Sequence, residues 1–229
     1  MSENVGGEAS LLKDINNLFG DKSPDEAREL FTSMRLLLSY YKCAMMEVET
    51  KFRVLNEEFS LQYDRNPINA IKSRLKDGVS IREKLLRKGL PQTLDAIEEN
   101  IYDIAGIRVV CSFYKDVYYL EEALLKQDDI TLIRRKDYIE NPKPNGYRSL
   151  HLIVAVPIFL SNQKKIMKVE VQLRTIAMDS WASMEHQLLY KKKVERLPQI
   201  DRELYKCAEL CRELDGRMDM LRQIMIEEN

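Results

Sequence analysis

Histidine, cysteine and glycine are all scarce in this 229-residue chain, and each scarcity removes a class of chemistry. The four cysteines, Cys43, Cys111, Cys207 and Cys211, form no CxxC pair, so no disulfide framework is expected. Cys207 and Cys211 are spaced i,i+4, as on one helix face. Zinc would need two further ligands, and the only histidines, His151 and His186, lie in segments explained otherwise below. The eight glycines are scattered and form neither a GxxxxGK loop nor a Gly-rich kinase loop. Phosphates would therefore have to be held by side chains instead of a backbone nest. No run approaches the roughly 20 apolar residues of a membrane span, and Met1 to Ser10 is acidic, unlike a secretory signal, which predicts a cytoplasmic protein without a membrane partner. A formal charge of -1 with 45% hydrophobic residues excludes disorder and supplies a domain-sized core.

The near-neutral total hides an uneven distribution. Residues 1–66 carry 8 basic and 12 acidic side chains, residues 67–193 carry 22 and 16, and residues 194–229 carry 6 and 9. The middle therefore holds the anion-binding capacity, densest at Lys72, Arg74, Lys76, Arg82, Lys84, Arg87 and Lys88, a cluster suited to polyphosphate or nucleic acid.

A short apolar pattern, Leu11, Leu12, Ile15, Leu18 and Phe19, opens the chain as a docked helix or a frayed arm. Ser23-Pro24-Asp25-Glu26 then reads as a capping box with proline at the first helical position. Apolar residues at helical spacing from Ala27 to Phe59 predict one long amphipathic helix, stopped at Asn66-Pro67. The basic segment from Ile68 to Lys88 is expected to form one or two helices broken at Asp77-Gly78. A short helix near Gln92 to Glu99 follows, then a strand over Ile104 to Phe113, a helix over Asp116 to Lys126, and a strand over Ile130 to Asp137. Glu140 to Gly146 is a loop. Arg148 to Leu160 and Lys165 to Thr175 form a hairpin around Ser161-Asn162-Gln163, followed by helices over Ile176 to Lys192 and Ile200 to Ile226. The pattern predicts an α+β or α/β domain with a mixed sheet.

In the last strand Val169, Val171 and Leu173 share one face, while Lys168, Glu170, Gln172 and Arg174 share the other. In Asp103 to Arg108 an acid opens a strand, and Gly106 leaves space beside the Arg108 guanidinium. Lys143 to His151 brings a rigid loop into a strand with Tyr147, Ser149 and His151 on one face, a ring to stack on beside hydrogen-bonding groups. Two carboxylates on polar faces, flanked by Arg and Lys, are what metal-assisted phosphoryl chemistry requires: oxygen ligands for Mg²⁺ and cations for phosphate.

Five separated motifs then agree with one family. Arg74-Leu75-Lys76 with Ser80 and Lys84, Asp103 to Arg108 as D-x-x-G-x-R, Lys136-Asp137-Tyr138-Ile139 running into Pro142 to His151, Glu170 to Thr175, and Trp181-Ala182 with Glu185-His186 resemble the synthetase domain of the RelA/SpoT alarmone enzymes over roughly residues 67 to 192. The resemblance implies an α+β, nucleotidyltransferase-like fold with a mixed sheet of about five strands between long N- and C-terminal helices. It implies transfer of the β,γ-pyrophosphate of ATP to the 3'-hydroxyl of GTP or GDP. No histidine precedes His151 and only about 36 residues follow Lys193, so the histidine-built hydrolase and the regulatory region of long members have no place. A small, synthesis-only alarmone synthetase without hydrolase activity is expected, and members of that group are typically homotetramers.

By the same resemblance, Arg74 and Arg108 would clamp the adenine of ATP, with Lys76, Lys84 and Ser80 toward its phosphates. Asp103 and Glu170 would hold Mg²⁺, and Glu170 would orient or deprotonate the acceptor hydroxyl. Tyr147 would stack on guanine; Lys136, Lys143, Asn145 and His151 would lie along the GTP or GDP acceptor, with Gln172 and Arg174 nearby, and the neighbours Arg134 and Arg135 could do the same job as Lys136. Glu185 and His186 would brace the site, and Trp181 would be core. Residues 1–66 would form a helical region making subunit contacts, residues 67–193 the synthetase core and residues 194–229 a C-terminal helix. An allosteric alarmone or single-stranded RNA would be further partners. The rival reading is a catalytically inactive RNA- or nucleotide-binding module of the same fold. Asp103 and Glu170 argue against it, since their charge would repel phosphate.

Overall fold

The computed structural model describes residues 23–63, 66–189 and 198–227. The apolar pattern between Leu11 and Phe19 lies outside the described residues. Helix α1 (Pro24–Tyr63) opens on the expected capping box: the Ser23 N–H donates to Glu26 Oε2 at 3.0 Å and the Glu26 N–H to Ser23 Oγ at 3.4 Å. Its buried stripe, among it Leu37, Tyr41, Ala44, Val48, Phe52, Leu55 and Phe59, packs into the same core as the sheet. Each large side chain so buried is worth ~1.5–3 kcal/mol over leaving it in water.

Strands β1 (Ile68–Leu75), β2 (Ala105–Cys111), β3 (Thr131–Asp137), β4 (Leu150–Phe159) and β5 (Lys164–Thr175) form one mixed sheet in the order β1-β2-β5-β4-β3. Only β2 and β5 pair in parallel. Helices α2 (Gly78–Arg87) and α3 (Leu94–Asn100) connect β1 to β2, and α4 (Tyr114–Leu125) connects β2 to β3. After β5 come α5 (Ile176–Leu189) and α6 (Pro198–Glu227). The fold is α+β, as expected.

One expectation is overturned. Ile68–Leu75 is a strand, not a helix. Ile68, Ile71 and Leu75 sit at i, i+3 and i+7, a helical spacing, and a register shift between Ile68 and Ala70 breaks the alternation that would have marked a strand. Antiparallel pairing with β2 decides the outcome against the local pattern. The second half of the segment is the helix α2, with Asp77 as its N-cap.

The two long helices differ in what they cover. Helix α6 packs on α5 through Leu204, Ala208 and Trp181, whose indole N–H donates to the Leu204 carbonyl at 2.9 Å. It also backs the loop before β4. Gly146 has φ +88°, and a Cβ there would stand 2.6 Å from the Ala208 Cβ. Gly146→Ala is therefore expected to destabilise the fold, by about 1–2 kcal/mol for the left-handed backbone alone. Gly216, exposed within α6, has nothing within 4 Å of a built Cβ, so Gly216→Ala is expected to stabilise by up to about 1 kcal/mol. Urea denaturation of the two variants checks both signs.

Candidate active site

Lateral pairing builds the site from two rows that cross all five strands. One row reads Arg74, Gly106, Glu170, Ile153, Arg134; the next reads Lys72, Arg108, Gln172, His151, Lys136. Paired residues share a face, so the sheet's polar side carries Glu170 at its centre, Arg74, Lys72 and Arg108 on one flank, and Arg134 and Lys136 on the other. The opposite parity, with Ile107, Val109, Val171 and Leu152, is buried in the core beneath α1.

Two cavities open on this face. The larger, about 630 Å³, is lined by Arg74, Lys76, Gly106, Arg108, Tyr147, Gln172 and His186 among others. The smaller, about 340 Å³, is lined by Lys84, Lys88, Arg134, Lys136, Tyr138, Lys143 and His151 among others. Asp103 and Glu170 line both, so the two cavities meet at a carboxylate pair.

The pair is held ionised by different means. Asp103 Oδ2 accepts from Lys84 Nζ at 2.7 Å and from Lys76 Nζ at 3.1 Å. Burial pushes its carboxyl up, and the two lysines pull it further down, to below its ordinary 3.8. Glu170 is opposed by burial and by the nearby Asp103 charge, yet His151 and Gln172 hold it below its ordinary 4.5. Gln172 Nε2 donates to Glu170 Oε2 at 2.9 Å, and His151 Nδ1 lies 3.4 Å from Oε1. Asp103 Oδ1 is buried and has no hydrogen-bond partner among the described residues. An orphaned carboxylate oxygen in a cleft lined by a second carboxylate fits a hard divalent cation. No cluster of three or more acidic, His or Cys ligands occurs among the described residues, so water and phosphate oxygens would complete its sphere, the usual pattern for Mg²⁺.

Behind Glu170 the hydrogen bonds form a chain. Arg174, only 3% exposed, donates from Nη2 to the Tyr147 hydroxyl at 2.5 Å and to Gln172 Oε1 at 2.8 Å. The Tyr147 hydroxyl lies 2.8 Å from His151 Nε2. Arg174 can only donate, so with a neutral imidazole the phenol proton goes to Nε2 and His151 keeps its own at Nδ1, toward Glu170. Lys143 Nζ stands 4.5 Å from the Tyr147 ring centroid and 4.8 Å from that of Tyr138.

Most of the expected residues converge here, namely Asp103, Glu170, Arg74, Lys76, Lys84, Arg108, Tyr147, His151, Lys143, Lys136, Gln172 and Arg174. Lys84 lines the smaller cavity, apart from Arg74 and Arg108, and Tyr147 lines the larger one, apart from Lys136, Lys143 and His151, so donor and acceptor residues mix where the two cavities meet. Ser80 gives its hydroxyl to Asp77 at 2.8 Å in the α2 cap, and lines neither cavity. Asn145 shapes the loop, accepting from the Tyr147 N–H at 3.2 Å and donating to Glu185 at 3.3 Å. Ser149 is fully buried and donates to the Leu173 carbonyl. Sequence reasoning missed Tyr138 and Asp179, and offered Arg134 only as a neighbour of Lys136 able to do the same job. Strand parity separates Arg134 from Arg135, whose guanidinium is spent on Glu121 at 2.6 and 3.0 Å on the other face.

The sheet and its paired cationic cavities define a two-substrate phosphoryl-transfer type of cleft. The family described as the region found in RelA / SpoT proteins matches residues 73–195, more than half of the sequence, and the chain belongs to that family. GTP pyrophosphokinase YwaC of Bacillus subtilis (strain 168) is 42% identical over 194 residues, covering 85% of this chain and 92% of the relative. GTP pyrophosphokinase YjbM of the same organism is 35% identical over 182 residues, 80% of this chain and 85% of that protein. The crystal structure of the small alarmone synthetase 1 from Bacillus subtilis bound to its product pppGpp superposes with a TM-score of 0.77 at 34% identity, over 83% of this chain and 97% of that one. Small alarmone synthetase 2 from the same organism gives 0.75 at 42% identity, over 83% and 98%.

Two outcomes follow from the geometry. A Cβ at Gly106 would meet only the Arg74 carbonyl oxygen, at an ordinary 3.6 Å, so Gly106→Ala should leave the unfolding free energy from urea denaturation within ~0.5 kcal/mol of wild type. The same methyl projects into the larger cavity and should weaken nucleotide binding there, as read by calorimetry. The depressed carboxyls set the acid limit. Their folded values lie below the unfolded ones, so both the charge pair and its share of stability are intact above about pH 4–4.5. Activity and stability carried by these charges should be lost only as pH falls from there through the lower folded values, which an acid titration of nucleotide binding followed by unfolding would check.

Proposed function

We propose that this protein is a small alarmone synthetase, which transfers the β,γ-pyrophosphate of ATP to the 3'-hydroxyl of GTP or GDP and releases AMP. The observation that carries the reading is the carboxylate pair shared by two cation-lined cavities, in a chain whose relatives are GTP pyrophosphokinases. A two-substrate transfer needs one reacting centre reached from two sides.

The adenine lies between Arg74 and Arg108, whose planar guanidiniums stack as an ammonium cannot. Lys76 and Lys84 meet the donor phosphates. Guanine stacks on Tyr147, and the acceptor's 5'-phosphates run toward Lys136, Lys143 and Arg134. The pair Asp103 and Glu170 holds Mg²⁺, which when bound offsets phosphate charge and makes the β-phosphorus more electrophilic. Glu170 accepts the proton of the 3'-hydroxyl as its oxygen bonds to the β-phosphorus. The bond between that phosphorus and the α,β-bridging oxygen breaks, and AMP leaves with the electron pair. His151 and Gln172 keep Glu170 anionic and aimed until the proton arrives.

The protein acts in the cytoplasm as a homotetramer, with the outer faces of α1 and α6 as subunit contacts. Leu210, Leu214, Leu221 and Met225 on α6 are each more than half exposed, which supports that assembly. No helix of the described residues is long and apolar enough to cross a membrane.

Incubation with ATP, Mg²⁺ and GDP or GTP, with product masses read directly, is the test. AMP plus a guanosine carrying a 3'-diphosphate is expected; release of free pyrophosphate would identify a different transferase. Glu170→Gln should lower turnover by on the order of 10²–10⁴ while acceptor affinity stays within a few-fold. Tyr147→Ala should weaken acceptor binding by about 1–3 kcal/mol and spare ATP binding, and Arg108→Ala should show the reverse bias. Equal losses for both nucleotides would place Tyr147 elsewhere.

A further inference from the structure

Asp179 has no part in the chemistry above, yet three cations converge on it. It lies in the first turn of α5 and is 7% exposed. Its Oδ2 accepts from Lys72 Nζ at 3.0 Å; its Oδ1 accepts from Arg108 Nη1 at 3.1 Å and from Arg174 Nη1 at 3.4 Å. These cations come from β1, β2 and β5, so one carboxylate ties α5 to three strands across the floor of the larger cavity. One negative charge against three positive ones leaves that wall cationic, which suits a polyphosphate ligand.

All three partners line the larger cavity, and two of them, Arg108 and Arg174, act on the groups assigned to the nucleotides. Arg108 has no other ion pair among the described residues, and its Nε is buried without a partner, so its guanidinium is held at one corner only. Arg174 passes the restraint on, through its bonds to the Tyr147 hydroxyl and to Gln172. With the carboxylate removed, Arg108 and Arg174 would face each other as like charges.

We propose that Asp179 is a positioning residue that aims Arg108 at the donor nucleotide and, through Arg174, fixes Tyr147 for the acceptor, so that both nucleotide sites hang on one anchor. The proposal rests on the functional reading above, in which Arg108 meets ATP and Tyr147 meets guanine. It implies that the binding lost with Asp179 is lost by way of those two residues, and not through Lys72, which lines the same cavity.

Calorimetric titration of the intact protein with an ATP analogue carrying a methylene between its α and β phosphorus, and separately with GDP, tests this as two double-mutant cycles. Asp179→Asn should weaken binding of the analogue on the order of tenfold, and the double variant Asp179→Asn/Arg108→Ala should bind it no worse than Arg108→Ala alone. The same pattern should hold for GDP with Tyr147→Phe, which cuts the link to Arg174. Independent, multiplying losses in both cycles would overturn the positioning role and leave Asp179 as a general brace of the fold. If Asp179→Asn does not fold, Asp179→Glu keeps the charge and displaces it by one methylene; wild-type affinity for the analogue in that variant would equally overturn the proposal. A wild type that binds both nucleotides but transfers no pyrophosphate strikes the functional reading alone. A wild type that binds neither removes both.

Discussion

A carboxylate has to stay ionised in the middle of a sheet, and the arrangement around Glu170 is organised by that constraint. Its strand is an inner one, with β2 on one side and β4 on the other. Burial and the neighbouring Asp103 both oppose its charge. The opposing contributions are specific: an amide donor from Gln172 on the same strand and an imidazole from β4. Each donor is in turn held by Arg174 or Tyr147. Hydrogen bonds to a charged form are the strong kind, and a chain of them in a low-dielectric setting polarises along its length. Gly106 beside Glu170 adds the complementary property, an open approach to the carboxylate where another side chain would have covered it.

Much of this was legible in the sequence because strand parity is a rigid rule. The alternation in Lys168 to Arg174 separates core from cleft residue by residue, and the five-strand sheet confirms it with Val169, Val171 and Leu173 fully buried. The Asp103 to Arg108 segment was readable for the same reason. What escaped were features set by contacts across long separations. The first strand has a bulge that erases its period and leaves a helix-like spacing, so only its pairing with β2 reveals it. Ser80 and Asn145 sit inside matching motifs, but their polar groups are used locally, in a helix cap and in a loop. No spacing rule points from Asp179 to Lys72, 107 positions away.

Arg134 and Arg135 show how close the two outcomes can lie. Adjacent and chemically identical, they differ only in strand parity, yet the pleat sends one into the smaller cavity and the other into an ion pair with Glu121 on the far side. Their separation is a property of register and not of composition.

That register makes β3 intolerant of a change in length. Glu121 is 8% exposed and depends on Arg135 for its compensating charge. A single residue gained or lost in the strand would turn every side chain over. Arg135 would then face the cleft, Arg134 and Lys136 would turn to the side that carries Glu121, and Glu121 would depend on whichever side chain now fell opposite it. Sequences related to this one should therefore keep the residue count fixed between the end of α4 and the loop that carries Lys143.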